Sequence, residues 1–148
     1  MAVRVQADPF DLGAEAAAFA QGRRDVGAIV TFTGVVRDEA GTLRAMEIEH
    51  YPGMTASAIQ AMVDQATARW SLADALVIHR HGRMAPGEMI MMVATAAGHR
   101  NDAFAAAEFL MDYLKSRAPF WKKEITDAGA DWVAATEEDE AALGRWRG

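Results

Sequence analysis

The alternation of apolar and polar positions predicts a series of β-strands along the chain. Strands are indicated by short apolar runs or by apolar residues at every second position. Such patterns occur at residues 3–6, 26–37, 43–51, 75–83, 89–97, 120–126 and 132–135. The segment 26–37 is rich in β-branched residues and apolar on both faces, which predicts a central strand covered on both sides. Turn residues at 85–88 and 127–130 each join two neighbouring strands, which predicts two hairpins.

Apolar residues with helical spacing occur between these strands. The alanines of residues 14–20 predict a short helix that is capped by Asp11. A longer helix is predicted after Thr55, which is its expected cap. The apolar stripe of this helix consists of Ile59, Met62, Val63, Ala66 and Trp70, and we expect it to pack into the core.

The longest predicted helix ends at Pro119, because proline cannot continue a helix. Its expected cap is Asn101 or Asp102. The acidic residues 137–140 begin a short terminal helix, since carboxylates in a first turn interact favourably with the helix dipole. Helices and hairpins that alternate irregularly predict an α+β fold with a mixed or antiparallel sheet packed against helices, in a single domain over residues 1–148.

Composition narrows the possible functions. The chain has 148 residues and a formal net charge of −6, which excludes general nucleic-acid binding. It has no apolar run of membrane-spanning length and no signal-peptide core near its N-terminus, so we expect a cytoplasmic protein. Cysteine is absent, which excludes disulfides, thiolate metal sites and cysteine nucleophiles.

Four histidines remain as candidate metal ligands, at positions 50, 79, 81 and 99. His79 and His81 alternate along a predicted strand, so their side chains point to the same face and form half of a metal site. The sequence offers no third ligand at a useful spacing. We therefore expect neither a metal nor another cofactor.

Lysine is concentrated at one corner of the chain. The sequence contains only three lysines, Lys115, Lys122 and Lys123, and they flank Pro119. Lys115 lies before the predicted helix end and Lys122 lies after it, so the two amines can converge. Successive residues of a strand point to opposite faces, so Lys123 is expected to face solvent.

Lys115 shares a helix face with Phe104 and Met111, an apolar stripe that predicts contact with the core. The ordinary interpretation is that its stem covers the core while its amine reaches water, or that Asp112 pairs with it. Because Arg117 and two further lysines lie nearby, we favour a functional role.

Three further basic residues are candidate anion ligands. His99 and Arg100 precede the longest helix, whose first N–H groups and dipole favour anions. Arg37 ends a predicted strand, a position that often borders a cleft. The ordinary alternatives are a surface ion pair for Arg37 and a capping contact for His99. Together with Lys115 and Lys122 these residues would bind a small anion such as a phosphate ester, but sequence alone does not show that they meet.

Six pieces of the sequence carry a family resemblance, in the family's order and over nearly the whole chain. They are VTFTGVVR at 30–37, EHYPGMT at 49–55, HRHG at 79–82, PG at 86–87, HR at 99–100 and MDYLKSRAPFWK at 111–122. With these pieces the chain resembles the large, catalytic subunit of molybdopterin synthase. The last piece is long and specific, whereas the Pro-Gly turn alone would indicate nothing.

The resemblance implies an α/β-hammerhead-like fold and a reaction. Enzymes of this family convert cyclic pyranopterin monophosphate to molybdopterin by inserting two sulfur atoms. The sulfur arrives on the thiocarboxylated Gly-Gly C-terminus of a small ubiquitin-like subunit, and two large subunits form the homodimer core of a heterotetramer. The resemblance implies that Lys115 and Lys122 are catalytic, with Arg37, His99 and Arg100 around the anionic part of the substrate. It leaves the acid and base roles of the two lysines open.

The sequence departs from the family pattern at one place. Related sequences often carry an arginine shortly after the Trp-Val of the second hairpin, where it is thought to reach the neighbouring subunit, but none occurs here up to Thr136. Either Arg145 or Arg147 replaces it, or that contact is weaker. Two other functions stay open, a non-enzymatic module that binds a small anion and a phosphate-ester hydrolase that uses the same residues.

Overall fold

The computed structural model describes residues 1–147, and strands and helices alternate along them. In chain order the elements are β1 (Ala2–Gln6), α1 (Leu12–Ala18), β2 (Ala28–Val35), β3 (Leu43–His50), α2 (Met54–Trp70), β4 (Asp74–Arg80), β5 (Gly82–Met84), β6 (Met89–Ala97), α3 (Arg100–Ser116), β7 (Phe120–Thr126), β8 (Gly129–Val133) and α4 (Glu137–Gly144). Within this part of the chain, the helices are too short or too polar to cross a membrane.

The strands form two four-stranded sheets. The first has the order β1-β4-β6-β2, in which β1 runs parallel to β4 and the other pairs are antiparallel. The second has the order β5-β3-β7-β8 and is antiparallel throughout. The predicted α+β class is confirmed, and so are the strand partners of both predicted hairpins, β4 with β6 and β7 with β8.

β2 lies at the edge of the first sheet, so the predicted central position of segment 26–37 is wrong. Three large side chains of this strand, Ile29, Phe32 and Val35, are 48%, 42% and 49% exposed. The interior strands are β4 and β6, which are buried along most of their lengths. An apolar run therefore does not distinguish an interior strand from an edge strand that exposes apolar side chains.

The predicted strand 75–83 is interrupted, and its two halves belong to different sheets. β4 ends at Arg80 and β5 begins at Gly82, whose φ of 96° lies in a region that only glycine adopts without strain. Between them the N–H of His81 donates to the carbonyl of Gln6 (2.9 Å). The break carries the chain from the first sheet into the second.

The predicted cap is confirmed for α1 and wrong for α2. The Asp11 side chain accepts a hydrogen bond from the N–H of Ala14 (3.0 Å). The N-cap of α2 is Gly53, with a φ of 79°, and its helix already includes Thr55. Thr55 therefore cannot cap α2, and its hydroxyl is directed elsewhere.

α3 begins at Arg100, earlier than predicted, so the expectation that Asn101 or Asp102 caps it is wrong. The N-cap is His99, whose side chain makes no capping hydrogen bond. The reason lies in the preceding strand. Because β6 continues to Ala97, only two residues remain for the turn, and the helix starts before the polar residues reach the cap position.

The main core lies between the first sheet and the helices α2 and α3. From the predicted stripe of α2, Ile59, Val63 and Ala66 are fully buried, while Met62 and Trp70 pack at the margin of the core. A smaller core lies on the other face of the first sheet, under α1. The stripe prediction for α2 is thus confirmed.

The buried face of α3 is not the one that the sequence analysis selected. Phe104 is 61% exposed and Met111 packs only at the margin of the core, so the stripe through Phe104, Met111 and Lys115 is not the buried face. The helix instead buries a face rich in alanine, formed by Ala103, Ala106, Ala107, Phe109, Leu110 and Leu114. Small side chains let α3 lie close to the sheet, and for that reason the large apolar residues marked the wrong face.

Candidate active site

The two predicted catalytic lysines lie on either side of a tight corner between α3 and β7. The N–H of Arg117 donates back to the carbonyl of Tyr113 (2.8 Å), which ends the helix. Pro119 has no N–H with which to continue it, and β7 begins at the next residue. Lys115 is in the last turn of α3 and Lys122 is the third residue of β7, so the corner turns both side chains toward one space.

A cleft of about 900 Å³ opens beside this corner. Its walls are the end of β2 and the loop that follows, the strands β3, β7 and β8, the end of α3 and the start of α4. Arg37, Lys115 and Lys122 line it together with apolar side chains that include Leu43, Met46 and Phe120. The structure thus brings three of the five predicted site residues into one cavity.

Lys122 is the amine whose chemistry the site changes. Its side chain is partly buried where β7 faces the cleft. Burial, reinforced by the nearby charge of Lys115 and opposed by the carboxylate of Asp139, lowers the pKa of Lys122 from 10.5 to about 8. A group whose pKa is close to neutral pH can both take up and release a proton, as a general acid or base must.

Lys123 lies on the opposite face of β7, away from the cleft. Its Nζ is 4.5 Å from the centroid of the Trp132 ring, a cation–π contact across the hairpin of β7 and β8. Since Trp132 is itself 56% exposed, this contact is at the surface of the protein. Lys122 and Lys123 therefore lie on opposite faces of β7, as the strand pattern predicts, but Lys123 is half-buried and does not fully face solvent.

Arg37 stands at the rim of the cleft, just after β2. Its guanidinium pairs with Glu39 (3.1 Å), and both side chains are largely exposed. The ordinary interpretation of Arg37 as a surface ion pair is thus correct for this conformation, and the residue nevertheless lines the cleft. Because an exposed ion pair adds little stability, Arg37 can exchange Glu39 for an anionic ligand.

His99 and Arg100 lie at the other end of α3 and do not join this cleft within one chain. From Arg100 to Lys115 the helix rises about 22 Å. The two residues line a separate cavity of about 420 Å³, which also contains Gly27, Gly98 and Asn101. A side chain on Gly27 would meet the Gly98 carbonyl at 2.2 Å, so glycine is required for this close approach.

The start of α4 forms one wall of the cleft, which the sequence analysis did not include in the site. Thr136 accepts a hydrogen bond from the N–H of Asp139 (3.1 Å), and the Asp139 carboxylate accepts one from the N–H of Thr136 (3.3 Å). This capping box holds Asp139 in the wall that faces Lys122. The acidic run predicted the first turn of a helix, but only the packing of that helix placed a carboxylate near the amine.

Arg145, one of the two candidates for the missing arginine, is engaged within its own chain. Its guanidinium pairs with Asp112 (2.9 Å) and Glu108 (3.0 Å), both on α3. The neighbouring Trp146 also donates to Asp112 (2.6 Å). These contacts fasten the end of the described chain to α3, so Asp112 pairs with Arg145 and not, as the ordinary interpretation suggested, with Lys115.

His79 lies beneath the cleft, where its ring stacks on Phe120 with centroids 3.8 Å apart. Burial lowers the pKa of His79 to about 3, and its Nδ1 is 2.8 Å from the carbonyl of Arg80, so the neutral ring donates its hydrogen there. His81 stacks instead on His50 (3.9 Å). Among residues 1–147, no group of three His, Cys, Asp or Glu side chains is arranged to hold a metal ion.

The fold and the cleft together define a class of protein. An α+β scaffold holds a cavity in which three basic side chains lie among four acidic ones and one lysine has a pKa suited to proton transfer, an arrangement that suits acid–base chemistry on a small substrate. The sequence profile of the family described as MoaE protein matches residues 5–117. The chain belongs to this family.

Relatives and solved structures agree with this assignment. The molybdopterin synthase catalytic subunit of Cereibacter sphaeroides is 73% identical over 146 residues, which are 99% of this chain and 100% of that protein. The MoaE protein from Burkholderia ambifaria superposes with a TM-score of 0.83 at 51% identity, over 99% of this chain and 98% of that one. A complex of subunits 1 and 2 of molybdopterin-converting factor from Helicobacter pylori shares the fold, with a TM-score of 0.74 at 18% identity over 91% and 90% of the chains. The family resemblance found in the sequence is confirmed.

Proposed function

We propose that this chain is the catalytic subunit of a molybdopterin synthase, a sulfurtransferase that converts cyclic pyranopterin monophosphate to molybdopterin. The observation that carries this proposal is the convergence of Arg37, Lys115 and Lys122 in one cleft. A phosphate-bearing substrate requires cations, and the replacement of oxygen by sulfur requires proton movement. The cleft offers both.

Lys122 and Lys115 have different tasks in this proposal. Lys122, with its pKa of about 8, takes up and releases the protons that the sulfur transfers require. Lys115 and Arg37 are exposed and bind the anionic part of the substrate through charge-assisted hydrogen bonds. A substrate held in this way reacts with an incoming donor at a high effective concentration.

The sulfur atoms come from another molecule, because the chain has no cysteine on which to carry a persulfide. The donor that we propose is the thiocarboxylated Gly-Gly C-terminus of a small ubiquitin-like subunit. A tail without side chains fits a narrow channel, and its anionic end is attracted by the same cations that bind the phosphate. Each transfer leaves the tail as an ordinary carboxylate, with the replacing oxygen supplied by water, so two donors are consumed per product.

A second copy of the chain completes the site in this proposal. β2 begins beside Gly98, at the His99 end of α3, and it ends at the cleft. If two β2 strands pair antiparallel about a two-fold axis, the start of one lies opposite the end of the other. His99 and Arg100 of the second copy then approach the cleft of the first. The exposed apolar side chains of β2 support this arrangement, since large apolar residues on a sheet edge mark an interface.

The test is reconstitution with purified components. The chain alone, mixed with cyclic pyranopterin monophosphate, is expected to yield no dithiolene. Addition of the small subunit as a thiocarboxylate should give molybdopterin with two thiocarboxylates consumed per product, and the same subunit ending in a carboxylate should not. The dithiolene is measured after the product has been converted to a fluorescent derivative.

Three outcomes would contradict this proposal. Sulfurated product formed from inorganic sulfide at a comparable rate would overturn the donor-tail mechanism. Release of phosphate from simple esters, with no sulfurated product under any condition, would favour a hydrolase. Tight substrate binding with no turnover in the complete mixture would favour a binding module.

A further inference from the structure

One buried side chain from a distant part of the chain holds the corner between the two lysines. The hydroxyl of Thr55 donates to the carbonyl of Pro119 at 2.9 Å, across 64 positions of sequence. Thr55 is fully buried, with 0% of its surface exposed. Since Pro119 lies between Lys115 and Lys122, this bond is made at the point where the chain changes direction.

Thr55 is itself fixed from the other side. The N–H of Tyr51 donates to the Thr55 hydroxyl (2.9 Å), and the N–H of Thr55 donates to the carbonyl of Tyr51 (2.9 Å). The hydroxyl therefore uses its one hydrogen for Pro119 and accepts from Tyr51, which leaves no freedom in its orientation. A hydroxyl held in this manner is a rigid point of attachment for the corner.

The corner joins the two elements that carry the lysines. Lys115 is on α3 and Lys122 is on β7, so the relative position of the two residues depends on the corner as well as on the packing of each element. Phe120, the first residue of β7, stacks on the buried ring of His79, which anchors the strand side of the corner. Thr55 provides the corresponding anchor at the preceding residue.

We propose that Thr55 is a positioning residue, whose hydroxyl fixes the Pro119 corner and thereby sets the separation of the Lys115 and Lys122 amines. The effect on catalysis rests on the proposed function, whereas the effect on the position of the two amines does not depend on any particular reaction. The EHYPGMT piece thus contributes to the site through its last residue, Thr55. Within the described chain, the hydroxyl of Thr55 is hydrogen-bonded to Tyr51 and Pro119 and to neither lysine.

The consequence of a displaced corner is a change in the charge environment of Lys122. Burial has the largest effect on the pKa of this amine; of the charged groups, Lys115 opposes its protonation and Asp139 favours it. Glu124 lines the same cleft two residues further along β7. A relaxed corner would allow Lys122 to move away from Lys115 and toward water, and both changes make protonation easier.

Three variants separate the hydroxyl from the shape of the side chain. Thr55→Val preserves the shape but removes both hydrogen bonds, and Thr55→Ser keeps them. Thr55→Ala removes the hydroxyl without introducing a second methyl group. The matched control is Thr95→Val, because Thr95 is equally buried and donates to the carbonyl of Ala103 (2.7 Å) at the opposite end of α3.

The direct measurement is NMR titration of the lysine side chains. A chain with only three lysines gives three ε-CH₂ signals after selective ¹³C-lysine labelling, and Lys123→Arg assists their assignment. We expect the pKa of Lys122 to rise by about half a unit or more in Thr55→Val and Thr55→Ala. Thr55→Ser and Thr95→Val should leave it within about 0.2 units of the unmodified protein.

Activity provides the second measurement. In the reconstituted reaction Thr55→Val is expected to lower kcat about tenfold with little change in KM, because substrate binding is retained while proton transfer is displaced. Its pH–rate profile should move in the direction of the Lys122 pKa, and Thr55→Ser should restore both quantities. Loss of stability alone, as in Thr95→Val, lowers the folded fraction but does not move a pH–rate profile.

The results distinguish this inference from the proposed function. A Lys122 pKa that is unchanged in folded Thr55→Val or Thr55→Ala overturns the positioning role, whether or not the enzyme is active. Failure of both variants to fold, while Thr95→Val folds, also overturns it and assigns Thr55 to stability. A shifted pKa in a protein that makes no molybdopterin supports the positioning role and contradicts the proposed function alone.

Discussion

The two ends of α3 carry similar charges in different settings. The C-terminal end holds Lys115 next to the partly buried Lys122, in a cleft of about 900 Å³. The N-terminal end holds His99 and Arg100 at a smaller cavity of about 420 Å³, where both side chains are exposed. Burial beside another cation lowers the pKa of Lys122.

This difference in burial suggests different tasks for the basic residues at the two ends of α3, although the sequence analysis grouped them as one site. The C-terminal end combines charge with desolvation, which is what proton transfer requires. The N-terminal end combines charge with the free N–H groups and dipole of a helix start, which suits the binding of an anion. We infer that the C-terminal end is responsible for proton transfer and shares the binding of the anionic substrate with the N-terminal end of a second copy.

The largest expected effect comes from the chemical end. Lys122→Ala should lower kcat by about 100-fold or more, because general acid–base groups contribute at least that much. Lys115→Ala should lower kcat/KM by a similar factor, because it removes a charge that binds the substrate and that helps to lower the pKa of Lys122. Lys123→Ala should lower kcat less than about threefold, since Lys123 does not line the cleft and its amine lies over the exposed Trp132 ring across its hairpin. Turnover of the reconstituted enzyme is the measurement. Equal losses of kcat in the variants at positions 122 and 123 would show that the face of β7 on which a lysine lies does not decide its role.

The binding end should give an intermediate effect that can be complemented. Arg100→Ala is expected to raise KM about tenfold, because one charge-assisted contact to the substrate is lost. Dimers mixed from Lys122→Ala and Arg100→Ala chains should recover roughly a quarter of normal activity, since half of them contain one intact site. Activity is measured at limiting substrate after mixing and exchange of subunits. No recovery would place both residues in the same chain's site and contradict the shared arrangement.

The smallest effect concerns stability as a function of pH. Lys122 has a pKa of about 8 in the folded chain and 10.5 when unperturbed, so between these values the unfolded chain binds more protons. The free energy of unfolding should therefore gain a contribution as pH rises from 8 to 10.5, roughly 1–2 kcal/mol for a partly solvated amine. In Lys122→Met this contribution should vanish, whereas Lys123→Met should keep it. Urea unfolding at several pH values measures it, and identical pH dependence in the two variants would contradict the assigned environment.

The sequence by itself determined the local features of this protein. Pro119 lacks the N–H that a helix needs, so the helix had to end between the two lysines. The alternation of side chains along a strand separated Lys122 from Lys123, and a short polar side chain at Asp11 capped α1. These outcomes depend on backbone geometry and on residues that are close together in the sequence, so they can be predicted from the sequence alone.

Only the tertiary structure decided which parts of the chain meet. The apolar run of β2 looked the same as an interior strand, yet strand order made it an edge. Thr55 had the side chain of a helix cap, but packing directed its hydroxyl to Pro119. His99 and Arg100 were grouped with the lysines because all are basic residues, and the length of α3 separated them. Hydrophobic periodicity reports that a face is covered, but the covering element is chosen by long-range packing that no local pattern contains.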